Sequence, residues 1–173
     1  AEGWIARKKE IDLLVAMNPE SAREDVAGLP AGATLVYDEP LALGSLRDDL
    51  AAFPVPFDAI VRSVSGDARM VKLLRNMAYV GVVAQLLGID MAEVESAIAK
   101  QFRGKKKALE LNLAAARGGR EHAAAKLPRL EKLRVERMDA NGGKILIDGN
   151  AAGALGALFA GVTVVAWYPI TPS

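Results

Sequence analysis

The chain has 173 residues, 51% of them hydrophobic, and a mean hydropathy of +0.17, which suits one or two globular domains with a real core and excludes a disordered chain. With 22 basic against 21 acidic residues, net charge suggests neither nucleic acid nor an anionic membrane as a partner. The absence of cysteine excludes disulfides, zinc–thiolate sites and thiolate-held iron–sulfur clusters within this stretch, and a reducing cytoplasm is the expected location.

In chain order, AEGWIARKKE has no start methionine and no targeting character, and runs into a buried-type strand, IDLLVAMN. Strands are expected over residues 12–18, 34–37 and 58–64, because LLVAM, TLVY and AIV are continuous apolar runs of the kind covered on both faces of a parallel sheet. A short helix over 19–26, opened by Asn18, separates the first two strands, and DEPLALGSLRDDLAAFPVP should hold another. Asp67 then caps a helix from Ala68 to Leu87, which Gly88 ends. Asp90 with Glu93 opens a helix to Phe102, and a further one over 106–117 closes on Gly118 and Gly119. Residues 120–144, charged and loosely patterned with Pro128 and an NGG turn at Asn141, read as a linker between a first domain, 1–119, and the start of a second, 145–173.

That second part reads as a parallel βαβ unit: the strand ILID, the helix NAAGALGALFAG, the strand VTVVAW and the loop YPITPS. Small residues from Ala151 to Ala157 let helix and sheet approach closely. Ligands of open α/β sheets bind beyond the carboxyl ends of the strands, which makes the loop from Tyr168 to Ser173 the leading chemical site. Thr171 and Pro172 form a good helix start, so the chain is expected to be an internal piece of a longer polypeptide.

Other readings are weaker. Residues 149–173 are a run of twenty-five uncharged residues, long enough for a bilayer, but two prolines, Asn150, Thr163 and the change to β-branched TVV argue against a span. The fourteen residues 76–89 fit a buried core helix. The glycines Gly149, Gly153 and Gly156 follow a strand, but their spacing is wrong for a dinucleotide fingerprint and no acidic residue follows to hold a ribose. Arg103, Lys105, Lys106 and Lys107 flank the flexible Gly104 between two helices and could hold a phosphate-bearing ligand, against the alternative of a solvated basic turn. His122, the sole histidine, has no metal-ligating companion, and is expected at the surface. Asp38 and Glu39 precede a proline as in a turn, and neither a paired-carboxylate site nor a Ser/His/Asp site can be argued.

The segment LIDGNAAGALGALFAGVTVVAWYPITPS resembles the opening of the alpha domain of 2-oxoacid:ferredoxin oxidoreductases. RNMAYVGVVAQLLGID, with VESAIAKQFRGKKKALELN, resembles the end of the gamma domain that many of these enzymes fuse in front of it, and DLLVAMNPES an interior gamma strand. The resemblance implies an α/β fold: a three-layer, mostly parallel gamma domain, then the first βαβ unit of a thiamine-diphosphate-enzyme-like domain. It implies an alpha subunit of a two-subunit enzyme, most like those for 2-oxoglutarate, in which thiamine diphosphate decarboxylates a 2-oxoacid, electrons leave through iron–sulfur clusters to ferredoxin, and coenzyme A takes the acyl group. It puts Thr171 near the thiazolium and the substrate carboxylate, with Tyr168, Pro169 and Ile170 shaping that loop, and makes Arg103, Lys105 and Lys106 contacts for coenzyme A phosphates. Thiamine diphosphate with Mg2+ and a 4Fe–4S cluster would be held mainly by the partner beta subunit, whose GDG…NN pattern is absent here, so this stretch is expected to bind no cofactor alone. The alternatives are a non-catalytic α/β interaction module and a pyruvate-specific member of the same family.

Overall fold

The computed structural model describes residues 10–138, 140 and 142–166. They divide into two units, one up to Glu136 and one from Arg137 onward. The first is built on a parallel sheet of three strands in the order β1 (Leu13–Ala16), β2 (Thr34–Asp38), β3 (Ala51–Val55), with Leu14 opposite Leu35 and Val36 opposite Phe53. All five residues of β2 are buried, as expected of a strand paired on both sides and covered on both faces.

The alternation of β2 separates two cores. Leu35 and Tyr37 pack with Ala22 and Val26 of α1 (Ala22–Ala27) and with Leu29 and Leu43, whereas Val36 joins Val55 and residues of α2 (Phe57–Arg62), α3 (Ala68–Leu87) and α5 (Lys106–Lys126). Helices thus lie on both faces of the sheet, the three-layer arrangement that the resemblance implies. A third cluster, Met91, Ile98 and Ala116, seats α4 (Met91–Gln101) with Met77 and Leu113 around it.

Helix ends follow local chemistry. Asp67 accepts from the amides of Arg69 and Met70 at 2.8 and 3.0 Å, and Gly88 closes α3 at φ 69°. Asp90 accepts from Ala92 at 2.9 Å to open α4. By length and composition α3 could cross a membrane, but it is packed as a core helix, with Leu74, Ala78 and Val82 buried.

Three expectations are corrected. The third strand is not 58–64 but Ala51–Val55, and the run FDAIVR is helix α2, since Phe57, Ile60, Val61 and Val64 recur at helical, not strand, spacing. Pro54 is tolerated because β3 is an edge strand among the described residues. The connection after β2 holds two short 3-10 turns, Glu39–Leu41 and Leu43–Ser45. Finally, α5 runs through Gly118 and Gly119 to Lys126, so residues 120–126 are helix rather than linker. A Cβ on Gly119 would lie 1.9 Å from the Ala78 carbonyl oxygen, and one on Gly81 1.8 Å from that of Ala116. The glycines are therefore where α3 and α5 cross with backbones touching, and not a stop signal.

In the second unit α6 (Gly149–Phe159) forms as expected, with Asp148 accepting from the Ala151 amide at 2.9 Å. The flanking segments 144–148 and 162–166 make no ladder among the described residues, so of the anticipated βαβ unit the helix is present and the strands are unpaired. Leu146, Leu158, Phe159 and Val164 are exposed.

Candidate functional site

Parallel strands leave their carboxyl ends open to a ligand, because the chain turns there into helices that bring side chains from several elements together. Beyond β1 this produces a cavity of about 340 Å³, lined by Ala16, Met17, Asn18, Ser21, Asp25, Asn76 and Tyr79. Asn18 Oδ1 accepts the Glu20 amide at 3.1 Å, and the Asn18 carbonyl accepts that of Ala22 at 3.0 Å, which fixes the turn into α1 and leaves the Asn18 side-chain Nδ2 donors for the cavity. Asn76 and Tyr79, three apart on α3, reach the cavity from the same helix face. Amide, hydroxyl and carboxylate groups there can orient a polar ligand against an apolar wall of Val15 and Met17.

Beyond β2, Asp38 is buried and forms an ion pair with Arg75 of α3, whose Nε stands 3.3 Å from Asp58 of α2. Burial pushes the Asp38 carboxyl up from its usual range; Arg75 opposes that shift and Asp58 adds to it. The sequence pattern gave Asp38 a turn position and no chemistry. What could have found it is the single acidic residue directly after the apolar run TLVY, at the end of a buried strand.

Arg103, Lys105 and Lys106 are brought together on the turn between α4 and α5, all three exposed, with Gly104 at φ 79°. Lys105 is the residue before α5 and caps it with no side-chain hydrogen bond, so the first amides of α5 and the three cations share one solvent-facing turn. Their neighbour Lys107 lines a separate cavity of about 550 Å³ with Ser65, Asp67, Met70, Ala108 and Leu111. His122 is half-buried within α5 rather than at the open surface as expected, and burial first, then Lys126, lowers its pKa against an opposing pull from Glu39. Tyr168, Pro169, Ile170 and Thr171 lie outside the described residues. Among the described residues no group of three or more His, Asp or Glu could hold a metal ion.

A parallel three-layer α/β domain with its polar groups at the strand ends, joined to a Gly/Ala-rich helix, defines the class; within it, the profile of the pyruvate ferredoxin/flavodoxin oxidoreductase family matches residues 2–122, and the chain belongs to that family. It is 26% identical to 2-oxoacid:ferredoxin oxidoreductase 2, subunit alpha, of Aeropyrum pernix, over 96% of this chain and 32% of that protein. It is 25% identical to oxidoreductase 1, subunit alpha, of the same organism, over 70% of this chain and 19% of that one. Among solved structures it is similar to a 2-oxoglutarate:ferredoxin oxidoreductase from Magnetococcus marinus with 2-oxoglutarate, coenzyme A and succinyl-CoA bound, at 27% identity and a TM-score of 0.76, covering 93% of this chain and 28% of that one. A keto/oxoacid ferredoxin oxidoreductase gamma subunit from Geobacter sulfurreducens shares the fold, at 23% identity and a TM-score of 0.55, over 66% of this chain and 64% of that one. The chain thus spans about a third or less of the length of the curated relatives it matches.

Proposed function

We propose that the chain is part of the alpha subunit of a thiamine-diphosphate-dependent 2-oxoacid:ferredoxin oxidoreductase of the cytoplasm, which oxidatively decarboxylates a 2-oxoacid, 2-oxoglutarate foremost, to acyl-CoA and CO2 and passes the electrons to ferredoxin. The observation that carries this reading is the agreement of fold over 93% of the chain with an oxidoreductase whose structure holds 2-oxoglutarate, coenzyme A and succinyl-CoA. The match to an alpha subunit over 96% of the chain supports the subunit assignment.

The chain has no cysteine and so cannot supply the thiolates of a 4Fe–4S cluster, and among its described residues no group of three or more His, Asp or Glu could hold Mg2+. In this reading both belong to the beta subunit, and the chain's own contribution is to position substrates. Arg103, Lys105 and Lys106 meet phosphates of coenzyme A at the α4–α5 turn. Thr171, with Tyr168, Pro169 and Ile170 around it, donates a hydrogen bond to the oxoacid carboxylate.

The test is reduction of ferredoxin, or of a viologen in its place, by the alpha subunit containing this stretch assembled with its beta subunit. Turnover that needs both coenzyme A and 2-oxoglutarate is expected, with pyruvate a poorer substrate. Equal or better turnover of pyruvate overturns the 2-oxoglutarate assignment, and an assembly inert toward every 2-oxoacid overturns the enzymatic reading.

A further inference from the structure

At the carboxyl end of β2, three elements that share one apolar core also meet through charge. Asp38 ends the strand, Asp58 lies in the first turn of α2, and Arg75 reaches both from α3. The Asp38 side chain is 9% exposed and that of Arg75 23%, while that of Asp58 is 49% exposed. Two carboxylates therefore converge on one guanidinium, with Asp38 the one cut off from water. The arrangement is under-bonded: Asp38 Oδ1, Asp58 Oδ1 and Arg75 Nε are buried without a hydrogen-bond partner, although the last two stand 3.3 Å apart. An ionised carboxylate held this way has lost its hydration and regained only part of it.

We propose that this cluster is a proton-operated latch: with one guanidinium for two carboxylates, Asp38 takes up a proton in place of remaining the second anion, and the joint of β2, α2 and α3 tightens when it does. The groups facing Asp38 are Arg75 from α3, Asp58 and the Phe57 amide from α2, and, next along the chain, the exposed Glu39. Arg75 and the Phe57 amide favour the anion, Asp58 disfavours it, and burial, the largest influence, disfavours it too. A carboxyl whose folded pKa is raised above its unfolded value of 3.8 binds more protons in the folded than in the unfolded chain between the two values. Its contribution to stability is then lost as pH rises through that window, the reverse of the usual paired carboxylate. Asp49 and Glu95, lowered by bonds to Arg47 and Arg117, contribute in the opposite sense, so the raw pH dependence of the chain mixes both.

A difference measurement isolates the latch. Asp38→Asn keeps the shape and one acceptor and removes the charge. Thermal melting of the full chain and this variant from pH 4 to pH 8 should give a Tm difference, variant minus parent, that grows as pH rises above about 4 and levels off with the variant at or above the parent. A variant less stable than the parent at neutral pH, with a deficit that widens as pH rises, overturns the proposal, because it makes the ionised pair with Arg75 a net stabiliser. Should Asp38→Asn fail to fold, titration of the Asp38 side-chain carboxyl carbon in the parent by NMR decides. A midpoint clearly above 3.8, falling when Asp58→Asn removes the second anion, supports the latch; a midpoint at or below 3.8 refutes it.

Discussion

Arg47 illustrates how one side chain can take over work that a helix end cannot do for itself. Its Nη1 donates to the carbonyls of Val26, Ala27 and Leu29, at 3.3, 3.4 and 2.6 Å, at and just beyond the end of α1, while Nε and Nη2 bond Asp49 at 2.9 and 2.6 Å. Lysine could not do this, because only the planar guanidinium fork serves a carboxylate and several carbonyls at once. The same reasoning sets the expectation at Thr171 under the proposed function. Thr171→Val keeps the shape and removes one charge-assisted hydrogen bond to the oxoacid, worth roughly 1.5–3 kcal/mol. In the assembled enzyme kcat/KM for the oxoacid should fall about ten- to a hundredfold, with the coenzyme A KM and Tm little changed. Thr171→Ser should retain most activity, and a valine enzyme that matches the parent makes the loop merely structural.

At the scale of elements, α3 and α5 are held by the absence of side chains where they cross. Replacing Gly119 by alanine gains about 1 kcal/mol of helix propensity. The new methyl would stand 1.9 Å from a carbonyl oxygen, however, and the backbones would have to separate. Overpacking of this kind costs roughly 1–3 kcal/mol or more, so a lowered urea midpoint is the expected result for Gly119→Ala, and an unchanged or raised midpoint would remove the crossing argument. Much of this was legible beforehand. Asp67, Gly88 and Asp90 announce α3 and α4 because a cap is a local event, decided within a few residues. Gly118 and Gly119 misled for the complementary reason: a glycine pair looks the same whether it ends a helix or lets another helix approach, and only a partner forty residues away distinguishes the two. Residues 58–64 misled because an apolar run carries no label of period when it is short, whereas Ala51–Val55 hid behind its proline. Asn76 and Tyr79 lie in a run whose pattern shows only a core helix; their shared face is a cavity wall because β1 ends beside them.

For the whole molecule, the two units differ in what they bury. The first encloses its own core, with Leu35, Val36, Val55, Phe57, Val61 and Val82 fully covered, whereas no residue of α6 is buried. In the assembled enzyme the basic turn provides a test of substrate assignment that is independent of Thr171. Charge reversal at Lys105 and Lys106 together should raise the KM for coenzyme A and leave that for the oxoacid alone, since both side chains are exposed and bear no packing. Equal effects on the two constants would return them to a solvated turn.

The crossing at Gly81 and Gly119 also fixes how the first unit can fluctuate. Where side chains fill an interface, a rotamer change can admit water to a backbone amide without separating the elements. Here carbonyl and Cα surfaces touch with nothing between them, so the amides around Ala78 to Val82 and Ala116 to Arg120 have no small opening available. Their deuterium uptake should proceed by complete unfolding of the unit alone, and their exchange rates should follow global stability measured with urea as conditions change. Faster uptake at these amides than at the centre of β2 would mean that the two helices part while the sheet remains intact.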